Sequence, residues 1–104
     1  MNTFCKRLKE ARLAADISQE RLGIEAGIEP ASASARMNQY ESGKHAPNPT
    51  TVQQIAKVLD LPTAYFYSAD DDEARMLVLF YRATVEQRRA VLEGLGALDG
   101  EGRT

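Results

Sequence analysis

The chain has 104 residues, 43% of them apolar and 27% charged, with a net charge of −2. That size and balance fit one folded domain with a short appendage and exclude wholesale disorder. No apolar run approaches the ~18 residues of a membrane helix, the stretch from Met1 to Lys6 lacks the apolar segment of a secretory signal, and one cysteine makes no internal disulfide, so the expected setting is a reducing cytoplasm with no membrane contact.

No stretch alternates as a strand does, and Gly and Pro fall where helices would stop and start, so an all-α fold is expected. The first helix is expected from about Thr3 to Ala15, with Phe4, Leu8 and Ala11 on one side and Lys6, Lys9 and Arg12 elsewhere. Ser18 is a good cap for a second helix running to about Ala26, Gly27 suits the left-handed position beyond it, and Ile28 is the expected apolar plug beneath the turn. A third helix begins between Pro30 and Ser34 and ends at Ser42, with Gly43 past its end; Pro30 suits a first turn, although Glu29 is a poor cap. Asn48 caps a fourth helix opened by Pro49, whose buried stripe is Val52, Ile55, Ala56 and Leu59, and Pro62 opens a short helical turn through Phe66.

The acidic run from Asp70 to Glu73 reads as a solvated helix start, where negative charge meets the positive end of the helix dipole. It has neither the spaced carboxylates nor the glycine turn of a metal loop. The next helix, about Asp72 to Arg82, carries Met76 to Tyr81, a run apolar on every face that calls for cover on more than one side. Thr84 and Gln87 form a capping box for a last helix, about Val85 to Leu98, which Gly94 and Gly96 weaken, and the chain is expected to fray beyond Asp99.

Catalysis needs a nucleophile with a base, or a matched acid and base. Cys5 and His45 are the lone residues of their types, and neither has an evident partner, so no enzyme, no metal site and no cofactor are expected. The third helix points elsewhere. At about 100° per residue, Ala33, Met37 and Tyr40 fall together toward the core, and Ser32, Ala35, Gln39 and Ser42 lie opposite, flanked by Arg36 and Asn38. A solvated face usually carries Glu and Lys, whereas this one has no acid at its centre. Its small residues permit a close approach to the major groove, where Gln or Asn pairs with adenine and Arg with guanine.

Five pieces in order, Ile17 to Leu22, Ala26 to Ile28, Tyr40 to Lys44, Pro47, and Ile55 to Leu59, give the chain a resemblance to the phage-repressor/Cro-like (XRE-type) helix-turn-helix family over roughly residues 3–67. The resemblance implies a five-helix repressor-like bundle, here followed by two C-terminal helices, in which the second and third helices form the helix-turn-helix and the third enters the groove. It implies a DNA-binding regulator of transcription, a repressor above all, in a bacterial or phage setting on the nucleoid. By position it makes Ser34, Ala35, Arg36, Asn38 and Gln39 base-reading residues. Gln19, Ser32, Ser42, Lys44 and His45 become phosphate contacts, and Arg12 with Glu41 a structural ion pair.

Three departures stand out. The connection from Gly27 to Tyr40 is about four residues longer than the family's, with Glu29 to Ser32 as the surplus, so either the third helix gains a turn or the loop bulges. Gly23 stands where a small alanine is usual, and Asp16 where glycine usually ends the first helix.

The division expected is a DNA-binding domain over 1–68 and a helical extension over 69–104. The former has eight Lys/Arg against seven Asp/Glu and the latter five against eight, so acid collects at the C-terminal end. With so small an excess of positive charge, few phosphates are neutralised and the salt dependence of binding should be shallow. One reading helix is too small to select a site, so the expected partner is a near-palindromic DNA duplex bound by a homodimer. Leu77, Phe80, Tyr81, Val91, Leu92 and Leu95 of the extension are the expected dimerisation residues. The rival is an antitoxin-like module whose extension binds a protein partner while the N-terminal part regulates its own operon.

Overall fold

The computed structural model describes residues 2–102, and among them every regular element is helical. In chain order these are α1 (Thr3–Ala14), α2 (Gln19–Glu25), α3 (Pro30–Ser42), α4 (Pro49–Leu59), a 3-10 turn (Thr63–Tyr67), α5 (Asp71–Arg82) and α6 (Val85–Gly102).

Local sequence sets most of the boundaries. Asn2, Ser18, Asn48 and Asp70 each accept a backbone N–H three residues on, which satisfies a donor the helix start leaves orphaned. Gly27 and Gly43 take φ of 94° and 82°, the left-handed geometry that ends α2 and α3 without steric cost. Asp16 and Asp60 occupy the same region at φ 54° and 55°, where a side chain is less welcome.

The core gathers Leu8, Leu22, Met37, Ile55 and Phe66, all essentially inaccessible to water, with Ile28 partly buried against them. Ala33 sits under α2. A Cβ placed on Gly23 would lie 2.9 Å from the Ala33 Cβ and 3.0 Å from its carbonyl oxygen, so glycine is what allows α2 and α3 to approach this closely. The alanine usual at this place in the family does not fit between these two helices without a shift.

The long connection resolves as an added turn of helix. α3 begins at Pro30, and Glu29 caps it by backbone position alone, with no side-chain bond. The fifth element of the bundle is a five-residue 3-10 turn.

Buried Arg7 ties the extension to α1. Its Nε donates to the Ser68 carbonyl at 2.9 Å, and its Nη2 donates to Ala69 O at 3.2 Å and to the Asp71 carboxylate at 2.9 Å. Burial disfavours the guanidinium charge, but the bond to Asp71 and the carboxylates of Asp71 and Glu10 outweigh it and hold Arg7 above its usual pKa. The hydrogen bond from Arg7, then the charges of Lys6 and Arg7, hold the Asp71 carboxyl below the usual range.

Within the protomer, the cover expected for Met76 to Tyr81 is partial, and the expected end of the last helix is corrected. Met76, Leu79 and Tyr81 are exposed, whereas Ala74 is buried, Val78 packs against the core and Leu77 and Phe80 are half-buried. The last helix does not stop near Leu98: a Cβ added at Gly94, Gly96 or Gly100 would meet nothing within 4 Å, and the backbone stays helical to Gly102. Of the fraying expected beyond Asp99, the part at Arg103 and Thr104 lies outside the described residues, as does Met1 of the segment tested for a signal.

Candidate nucleic-acid interface

α3 turns the face Ala33, Met37 and Tyr40 inward, at 0%, 0% and 7% exposure. Ser34, Ala35, Arg36, Asn38 and Ser42 are exposed, and Ser32 and Gln39 are half-buried. The side chains of Ser34, Arg36, Gln39, Lys44 and His45 make no hydrogen bond or ion pair with any described residue. Their bonding capacity is spare, which is what a surface awaiting a polar partner requires.

Lys44 and His45 follow Gly43, whose left-handed turn carries the chain away from the end of α3. The His45 N–H donates to Gln39 O at 3.3 Å and the Ser42 hydroxyl to the same carbonyl at 3.2 Å, so the loop is pinned to the last turn of the helix.

An ionic network sits behind this face. Arg12 on α1 makes a two-pronged contact with Glu41, Nε to Oε2 and Nη2 to Oε1 (3.2 Å), and its Nη1 donates to Ile17 O at 3.0 Å. The side chains are 12% and 5% exposed, so the pair is largely out of water. Gln19, the first residue of α2, donates its amide to Glu41 at 3.2 Å and to Asn38 at 3.4 Å. One carboxylate therefore binds α1, α2 and α3 together. The arrangement also occupies the Gln19 amide donors, while both amide hydrogens of Asn38 stay free to face outward.

A cleft of ≈570 Å³ opens where these helices meet, lined by Lys9, Arg12, Ser18, Gln19, Ser34, Asn38 and others. Lys9 was not among the residues singled out from sequence. It stands three residues before Arg12 on α1, so the two share a helix face, and that spacing is the signal by which it could have been found.

A helix-turn-helix family model matches residues 8–66, more than half of the chain, including α2, α3 and the part of α1 that carries Lys9 and Arg12. The chain belongs to the XRE-type helix-turn-helix family of DNA-binding transcriptional regulators. Among solved structures, the transcriptional regulator BswR is similar at 39% identity and a TM-score of 0.87, over 93% of this chain and 96% of its own. A search of curated proteins finds no match.

The family match ends near the 3-10 turn, but the likeness to BswR, at 93% of this chain, takes in most of α5 and α6 as well. Of the side chains expected to hold two copies of this helix-turn-helix protein together, Tyr81, Leu92 and Leu95 are open to solvent at 40%, 60% and 49%. Leu77, Phe80 and Val91 are half-buried within the protomer. Val85 and Leu98, at 67% and 64%, extend the apolar surface further along α6.

Proposed function

We propose that this helix-turn-helix regulator is a repressor that binds a near-palindromic DNA site as a homodimer, laying α3 in the major groove of each half-site. The observation that carries this reading is the outward face of α3, small, free of acid at its centre and furnished with unused donors at Arg36, Asn38 and Gln39. On that face Ser34, Ala35, Arg36, Asn38 and Gln39 read base edges. Ser32, Ser42, Lys44, His45 and Gln19 contact the backbone, Gln19 through its amide once DNA competes with Glu41 and Asn38 for its donors. BswR, a transcriptional regulator by name, supports the regulatory part of the reading through a likeness that spans nearly the whole chain.

In this reading residues 1–68 recognise DNA and residues 69–104 pair the copies. The support for pairing is the apolar surface left open on α5 and α6, which a lone protomer exposes to water at a cost of roughly 25 cal/mol for each Å². The same surface accommodates a protein partner in the antitoxin-like alternative.

Selection of bound DNA from a random pool, run beside sedimentation of the purified chain, tests both parts. The expected outcome is a dimer and two inverted half-sites about one helical turn apart, 34–36 Å between centres. Recovery of no consensus sequence overturns the reading-helix assignment. A second protein that co-purifies in equal amount and occupies α6 favours the alternative.

A further inference from the structure

α5 and α6 are joined by Ala83 and Thr84 alone, and apolar packing contributes little to the angle between them. Along α6, among residues 85–100, only Arg88 and Val91 are even half-buried. The joint is held by polar contacts. Thr84 and Gln87 exchange bonds, Thr84 N–H to Gln87 Oε1 at 2.9 Å and Gln87 N–H to Thr84 Oγ1 at 3.1 Å, which fixes where α6 starts. Arg88 fixes where it points. Its Nε donates to Phe80 O at 2.9 Å and its Nη2 to Tyr81 O at 2.8 Å, with the guanidinium 5.0 Å from the centre of the Phe80 ring. Those carbonyls belong to the last turn of α5, where Phe80 O also accepts the Ala83 N–H at 3.2 Å and the helix dipole favours a cation.

A planar fork across two successive carbonyls constrains direction in a way that a single ammonium does not. Arg82 does the same one joint earlier, donating to Asp60 O at 3.0 Å and Leu59 O at 3.3 Å at the end of α4. The path from the reading head to α6 thus passes through two arginine-braced joints, of which the Arg88 joint has the less apolar support.

We infer that Arg88 is a positioning residue that sets which half-site spacing the dimer accepts. The inference rests on the proposed pairing of two copies through the extension. Its scale follows from the shape of the molecule. The long axis is 54 Å, so α3 swings about the joint on a lever of roughly half that. A rotation of about 7° on that lever displaces the reading helix by ~3.4 Å, the rise of one base pair, and each added base pair also turns the half-site by about 34–36° around the duplex axis. A joint loose enough to take up both the shift and the turn changes the preferred spacing, while the residues that read each half-site stay in place.

The test selects DNA from a random pool with the full-length chain, Arg88→Ala and Arg88→Lys, and reads half-site sequence and half-site spacing separately. The lysine variant keeps the charge but not the fork, and it decides the matter if the alanine variant does not fold. Wild type is expected to return one dominant spacing and to bind sites lengthened or shortened by one base pair about tenfold more weakly. Both variants are expected to remain dimers, to return the same half-site sequence, and to spread over two or more adjacent spacings with that penalty reduced to about threefold or less. Dimeric variants that keep the single wild-type spacing overturn the role of Arg88. A wild-type chain that is monomeric and selects lone half-sites overturns the pairing and this inference with it, a result visible before any variant is made.

Discussion

Replacing Arg12 by alanine leaves the Glu41 carboxylate in a place where only 5% of its side chain reaches water. It also leaves the Ile17 carbonyl, in the turn between α1 and α2, without the guanidinium bond at 3.0 Å. Stranding one partner of a buried ion pair costs about 3–5 kcal/mol. Gln19 still donates to Glu41 at 3.2 Å, which places the expected loss near the lower end, about 3 kcal/mol. For a chain of this size each kcal/mol is worth about 4–8 °C, so the melting temperature followed by circular dichroism should fall by roughly 12–24 °C. Removing both charges with volume-matched apolar residues, Arg12→Met with Glu41→Leu, leaves no charge stranded, only the Ile17 carbonyl and the Gln19 amide without these bonds, and should recover part of the loss. DNA binding by Arg12→Ala should weaken only in step with the unfolded fraction. An Arg12→Ala melt within about 3 °C of wild type, less than 1 kcal/mol, refutes the reasoning.

Other substitutions probe the remaining features. Gly23→Ala gains helix propensity of about 1 kcal/mol but drives a Cβ against the Ala33 backbone, so a net loss of about 1–2 kcal/mol is expected; an equal or higher melting temperature would mean that α2 and α3 can part cheaply. Asp16→Gly relieves an exposed residue held at φ 54° and should stabilise by about 1 kcal/mol in a denaturant titration, whereas a lower midpoint would show that the aspartate side chain has a compensating role. Leu92→Asp with Leu95→Asp places charge on the open face of α6 and should yield a folded monomer in sedimentation with an unchanged melt of the N-terminal bundle; a persisting dimer moves the pairing surface elsewhere.

Much of the fold was legible because short-range chemistry dictates it. Ser18 and Asn48 are caps whichever way the chain folds, Gly27 and Gly43 are where left-handed geometry costs least, and the 3.6-residue period puts Ala33, Met37 and Tyr40 on one side of α3. What local chemistry does not contain was missed or left open. Whether the surplus after Gly27 became helix or loop depends on how Pro30 and its neighbours meet α2, and Glu29 gives no side-chain signal either way. The run from Met76 to Tyr81 shows that apolar surface needs cover but not whether the same protomer or another chain supplies it, and within the protomer Met76, Leu79 and Tyr81 stay exposed. Within the candidate interface, the inward and outward sides of α3 follow from periodicity, and the Arg12–Glu41 contact has the geometry the resemblance implied. The Gln19 bridge to Glu41 and Asn38, and Lys9 at the rim of the cleft, arise only when three helices come together.

The central claim is that the outward face of α3 reads base edges, and Asn38→Ala tests it most directly. Asn38 is exposed and its loss removes one contact, at 3.4 Å, from Gln19, so the melt should stay close to wild type. Affinity is then measured for the selected site and for every single base-pair change in it. The expected result is a loss of about 1–3 kcal/mol on the selected site together with relaxed discrimination at one symmetric position of each half-site, all other positions keeping their preferences. A stable Asn38→Ala protein that retains every base preference of wild type, with Gln39→Ala behaving the same way, would contradict it.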